Sequence, residues 1–348
     1  MRTLSTVSQL LKKLKYGAVI LFLGTLAAST AIAPTPLAIP GGEGGIGFDD
    51  MGFAPSLHLV MVPAGRSGNL DLIDPVSRKV TAIGGFSSSS SFGGGHGQGV
   101  TSADADQNRR LLFATDRDTK LLNVIDMKTR SVVATVPLAS GPDYVRYVAA
   151  TDEIWVTEPR AAKIEVFMIP ATVVPPGHVD AISVPGGPES LIVDNKRARA
   201  YTNLWTDTTV AIDLKSRKIV ERWKNGCKGS RGIAMEAARG MLFVGCDEGK
   251  LSVLDLKTGA QLGSASSGSG VDIIAYNPRL AHAYLPGEES STMAIVGISA
   301  KGTATVLATV PTAEGAHCAV ADDRNQVYVC DPAKGRILVL ADSLPPGA

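Results

Sequence analysis

The sequence predicts an all-β chain, a seven-bladed β-propeller of four-stranded blades. Three observations carry that expectation: a short phrase recurs, its interval is nearly constant, and the composition suits a turn-rich β protein. Of 348 residues, 45% are hydrophobic and only 19% charged, which is enough apolar surface for a large core and too little charge for disorder. The 37 glycines and 20 prolines are spread along the chain, favouring many turns between short strands.

The phrase is an alternating apolar strand that ends in aspartate and runs into a turn. It reads Leu70-Asp71-Leu72-Ile73-Asp74, Leu122-Asn123-Val124-Ile125-Asp126, Thr209-Val210-Ala211-Ile212-Asp213 and Leu251-Ser252-Val253-Leu254-Asp255. Looser copies run over Ile164–Met168, Met293–Gly297 and Ile337–Ala341. After a first interval of 52 residues, the copies recur every 42–45, the period of a propeller blade. Seven copies mean seven blades.

Each unit fills in alike, and the fifth is typical: strands are expected at Ile233–Met235, Met241–Cys246, Leu251–Asp255 and Gln261–Ala265. The aspartates at 74, 126, 213 and 255 are turn residues, their carboxylates accepting from backbone N–H groups just ahead. The last unit lacks a fourth strand before the chain ends. Leu37–Gly42 resembles the other fourth strands and leads toward a first inner strand around Gly45–Phe48, so an N-terminal strand is expected to complete the last blade and remove its open edge.

Ahead of that strand, Arg2, Lys12, Lys13 and Lys15 are the only charges before Glu43, and Tyr16–Ala33 is apolar or small. This reads as an export signal over residues 1–33, with an N-terminal membrane anchor as the alternative, and a propeller over 34–348. The expected location is periplasmic or secreted. Removing the signal leaves 30 basic against 33 acidic side chains, a weakly acidic body with no footprint for nucleic acid. A monomer is expected, touching membrane only through an uncleaved N-terminal segment.

Four cysteines, Cys227, Cys246, Cys318 and Cys330, lie in the last third. An even count in an exported chain points to disulfides. Hairpin placement pairs Cys318 with Cys330 and Cys227 with Cys246; buried thiols or soft metal ligands are the competing reading. No CxxC pattern supports haem attachment.

The connections around the channel mouth should carry the ligand site. Aligned by repeat, the residue before each inner strand is Gln98, Asp143, Glu189, Arg231, Asp272 or His317, with Gly45 in the first blade. Glu158, Asn203, Trp205 and Asp331 join them from neighbouring loops, and His96 is the other histidine near the mouth. No cofactor is firmly implied. Asp143, Glu189, Asp272 and His317 offer oxygen and imidazole ligands to a divalent cation. Arg231 suits either a salt-bridged plug or an anionic ligand group. The Gly/Ser stretch Gly84–Gly97 opens no helix and is read as a surface loop or a lid, not a phosphate cradle.

Units with Val-x-Ile-Asp, Lys-Thr and Tyr201-Thr202-Asn203 resemble the YVTN-type, YncE-like propellers of bacterial envelopes, over roughly residues 37–342. The resemblance implies a WD40-like ring and leaves function open, because such rings serve as enzymes and as binding modules. A module binding a small molecule or an envelope protein through its mouth is the leading expectation. The alternative is a metal-dependent hydrolase of the lactonase kind.

Overall fold

The computed structural model describes residues 33–170 and 175–347; apart from Ala33, the expected export segment lies outside them. Among the described residues no helix is long and apolar enough to cross a membrane. The strands form seven four-stranded antiparallel sheets arranged as a ring: a seven-bladed β-propeller. Blades one to six span 52–84, 100–137, 145–183, 192–224, 230–266 and 275–311. The second and third strands of each are nearly solid apolar runs, as in Leu111–Asp116 and Leu121–Asp126, because both faces are covered by neighbouring blades. Outermost strands such as Ser131–Pro137 alternate, with one edge in solvent. Blades two to six share a register slip between third and fourth strands, which tightens the local twist.

The phrase-ending aspartates are turn caps. Asp74 accepts from the backbone N–H groups of Val76 and Ser77 at 2.9 and 2.7 Å, and Asp255 from those of Lys257 and Thr258 at 2.9 and 2.8 Å. Asp126 and Asp213 do likewise with Lys128 and Ser216.

Blade seven contains Ala319–Ala321, Gln326–Asp331 and Arg336–Ala341, and its outer strand is Thr35–Ala38. The partners are Thr35 with Val339, Pro36 with Leu338, Leu37 with Ile337 and Ala38 with Arg336. The N-terminal closure is therefore present, two residues earlier than expected. The first inner strand is displaced further, to Gly52–Ala54 rather than Gly45–Phe48. Gly44 and Gly45 sit at φ +83° and +98°, which breaks an extended run, and the Ile46 N–H bonds to the Pro332 carbonyl of blade seven at 2.9 Å. Ile46 and Phe48 are fully buried, but as core beneath the mouth.

Cys227 and Cys246 form a disulfide, with Cα atoms 5.3 Å apart. Cys318 and Cys330, expected to form a second, are free and buried. They do stand opposite one another, but the Cys330 N–H donates to the Cys318 carbonyl at 3.1 Å. The Cys330 sulfur accepts the Cys318 N–H at 3.2 Å instead.

Asp71 is the polar exception in blade one. It is fully buried between Val62 and Ala82, and neither carboxylate oxygen has a partner among the described residues. Burial pushes its carboxyl up to about 7. Between its ordinary value and about 7 the unfolded chain has released this proton and the folded chain has not. Stability therefore falls as pH rises through that window and then levels. Asp71→Asn is expected to stabilise the fold by about 2–4 kcal/mol near pH 8 and by little near pH 4. Denaturant melts at both pH values check this; a gain independent of pH would overturn it.

Candidate ligand site at the channel mouth

The mouth holds a cavity of about 670 Å³. Asp143, Glu189 and Asp272 reach it from segments just before inner strands, and Arg231 from the second residue of one. Trp205 stands on the rim at 43% exposure. His96 comes from the long connection between blades one and two. All six line the cavity. Asp49, Arg117, Lys120 and Arg160 also line the wall and were not anticipated.

Charge on the floor is organised by two guanidinium groups. Arg117 lies 3.0 Å from Asp49 and 2.5 Å from Asp143, and it also donates to the Pro142 and His96 carbonyls at 2.9 Å. Arg231 lies 3.0 Å from Glu189. His96 Nδ1 is 2.9 Å from Asp49, a close ion contact. Asp272 makes no ion pair among the described residues, while the other three carboxyls of the lining each do.

The acidities follow. Burial pushes Asp49 up, but the charges of His96 and Arg117 outweigh it and hold the carboxyl below its ordinary value. The Asp49 charge in turn raises His96 to about 9 against burial. Burial raises Asp143 to about 7 despite Arg117, and burial with the neighbouring Asp143 and Asp272 raises Glu189 to about 9. Burial also raises Asp272, with His96 and His317 opposing it. Asp143 and Glu189 thus hold protons near neutral pH.

The other expected residues lie elsewhere. Gln98 braces the Gly/Ser loop, accepting from the Gly93 N–H at 3.0 Å. Glu158 is buried beside the Ser140 N–H at 2.8 Å and Lys163 at 3.2 Å. Asn203 stitches blade four to five by donating to the Arg231 carbonyl at 2.8 Å, and Asp331 pairs with Arg336 at 2.7 Å. Each satisfies a nearby donor or acceptor that an isolated sequence does not display. His317 lies beneath the floor at 4% exposure, its Nδ1 2.8 Å from the Gly315 carbonyl and its Nε2 2.9 Å from that of Phe48. Of the four residues expected around a cation, Asp143 and Glu189 are engaged by arginines. The ligand atoms within 4.8 Å of one another belong to His96, Asp272 and His317.

The Gly84–Gly97 stretch lies across the mouth and is pinned there. A Cβ at Gly47 would strike the Gly95 carbonyl, and one at Gly45 the Phe92 ring. Ser87 donates to Asp116 at 2.7 Å, and the Ser89 N–H to the Arg66 carbonyl at 2.9 Å. Gly94, Gly95 and Gly97 then form part of the cavity wall.

Fold and mouth together define a seven-bladed propeller with a charged, ligand-sized chamber on one face. No protein-family model and no curated protein matches the chain. Among solved structures it is similar to a chain of Kuenenia stuttgartiensis hydrazine synthase, with TM-score 0.69 and 12% identity over 86% of this chain and 96% of that one. It is also similar to a chain in a crystal structure of the mitotic checkpoint complex, with TM-score 0.73 and 12% identity over 98% of this chain and 99% of that one. At these identities the likeness concerns the fold alone.

Proposed function

We propose that the chain is an exported, monomeric binding propeller that takes a small polar molecule in its mouth cavity. The observation that carries this reading is the imbalance inside the chamber. Three carboxyls whose pKa values are raised by burial face a cavity of about 670 Å³, and one of them, Asp272, has no ion-pair partner among the described residues. Lys120 and Arg160 on the wall also make no ion pair among those residues. Trp205 offers a half-exposed ring for stacking. The fitting ligand carries hydrogen-bond donors for the floor and an acidic group for the wall, as amino acids, hydroxy acids and acidic sugars do. Export is supported by the basic-then-apolar N-terminal segment and by the Cys227–Cys246 disulfide, and kinship with envelope propellers by Tyr201-Thr202-Asn203.

A panel of those three compound classes, read by thermal shift and tryptophan fluorescence, tests the reading. At least one class is expected to bind, and Asp272→Asn and Arg160→Ala are each expected to weaken it by about 10–100-fold, the worth of a charge-assisted hydrogen bond. No binding across the panel, or binding indifferent to both substitutions, would sink the proposal. Turnover of a lactone that chelation abolishes would establish the hydrolytic alternative in its place.

A further inference from the structure

Under the floor of the mouth, outside the cavity, His317, Cys318 and Cys330 meet. Their exposures are 4%, 0% and 0%, and one potential ligand atom from each lies within 4.8 Å of the others. Neither thiol is used by a disulfide, and the ligand reading of the mouth does not involve them.

His317 poses the problem that the cluster must solve. Its Nε2 faces the Phe48 carbonyl at 2.9 Å, an arrangement that fixes Nε2–H and turns the Nδ1 lone pair inward. That inward nitrogen faces two electron-rich atoms, the Gly315 oxygen at 2.8 Å and the Cys330 sulfur at 3.9 Å. Three electron-rich atoms converging in a dry pocket need a positive occupant. A proton on Nδ1 is the simplest one, and a metal ion is the other. The surroundings resemble those of a metal ligand set: an imidazole held through its far nitrogen by a carbonyl, and a sulfur that accepts a backbone N–H, from Cys318 at 3.2 Å. With metal–sulfur and metal–nitrogen bonds of about 2.3 and 2.0–2.1 Å, a trigonal site has a sulfur–nitrogen edge of about 3.8 Å. The observed 3.9 Å is close to that.

We propose that His317 Nδ1, Cys318 Sγ and Cys330 Sγ form a buried three-coordinate site for a thiophilic cation, Cu(I). Two thiolates and one imidazole are soft donors. Binding displaces to solvent the thiol protons and the proton that occupies His317 Nδ1 in the empty site, and it changes no oxidation state when the ion is supplied as Cu(I).

The test uses the full chain, purified under reductant and titrated anaerobically with Cu(I) against a chromophoric Cu(I) chelator. One equivalent is expected to be withdrawn from the chelator, with the X-ray absorption edge and fine structure of a three-coordinate ion bound by two sulfurs and one nitrogen. Cys330→Ser and His317→Gln are each expected to lower the affinity at least 100-fold, while Glu221→Gln, on the exposed outer strand of blade four, leaves it unchanged. Circular dichroism establishes that each variant is folded. The absorption spectrum of the wild-type protein stands without any variant. The proposal is overturned if the wild-type chain withdraws no Cu(I), if Zn(II) displaces Cu(I) at equal concentration, or if freshly purified protein carries a Cys318–Cys330 bridge.

Discussion

A chain beginning at Gly45 is expected to melt roughly 10 °C below one beginning at Pro34. The shorter chain lacks Thr35–Ala38, leaving Arg336–Ala341 as an open edge. It also loses Ile39, which is 5% exposed in the core, and Leu37, which packs against the same cluster. Burial of each such side chain stabilises by about 1.5–3 kcal/mol, and a domain of this size shifts by about 2–4 °C per kcal/mol. The Arg66 guanidinium, which donates to the carbonyls of Gly41 and Glu43, would lose both acceptors. An unpaired edge also invites pairing between chains, so concentration-dependent association should accompany the lower melting temperature. Scanning calorimetry of the two chains decides it; identical transitions would show that closure contributes nothing.

Arg117→Met is expected to destabilise the ring by about 3–5 kcal/mol near pH 8, because it strips the shared cation from Asp49 and Asp143 and leaves buried charge behind. Asp49, held below its ordinary value, contributes stability that is present above that value and is lost as pH falls through its folded one. Asp143, raised to about 7, is largely protonated near pH 5, so the penalty there should be smaller. Adding Asp143→Asn to Arg117→Met should recover part of the loss at pH 8, as coupled neighbours do. Urea melts of the single and double variants at both pH values measure this. A loss below about 1 kcal/mol at pH 8 would mean that the guanidinium is solvated rather than structural.

The ring was legible because its signal is periodic. An apolar strand phrase occurs seven times, four copies end in a turn-capping aspartate, and all intervals after the first are 42–45 residues; the missing fourth strand of the last unit pointed to its replacement at the other end. The site was only partly legible. Asp143, Glu189, Arg231 and Asp272 follow from their place ahead of or at the start of inner strands, which backbone topology alone dictates. Asp49 escaped because the chain crosses from blade seven through Gly44 and Gly45 before the first inner strand begins at Gly52. Arg117 sits one residue beyond Asp116, and only its long side chain brings it to the floor. Gln98, Glu158, Asn203 and Asp331 sit in the right connections but bond to neighbouring backbone or basic groups, three of them to a partner only five residues away across a turn whose closure the residue types do not specify. Cys318 and Cys330 were placed opposite one another correctly. Whether that rung of the ladder is hydrogen-bonded is a matter of register, which their spacing does not encode.

The first interval of the repeat, 52 residues where the others are 42–45, is the imprint of the Gly/Ser connection between blades one and two. That connection delivers His96 to Asp49, offers its carbonyl to Arg117, and closes part of the chamber wall with glycines. Repeat and chamber wall are thereby separable in this molecule. The blades form a chassis that tolerates little change, since each one packs against its neighbours. The connection is a cassette pinned to the chassis along its length, by Ser87 at Asp116, Ser89 at Arg66, Phe92 at Gly45, Gly95 at Gly47 and His96 at Arg117. New specificity can therefore be sought by exchanging residues 88–97 alone, with seven blades and their seam left untouched. Drift in ligand preference among similar rings should concentrate in this segment before it reaches any strand.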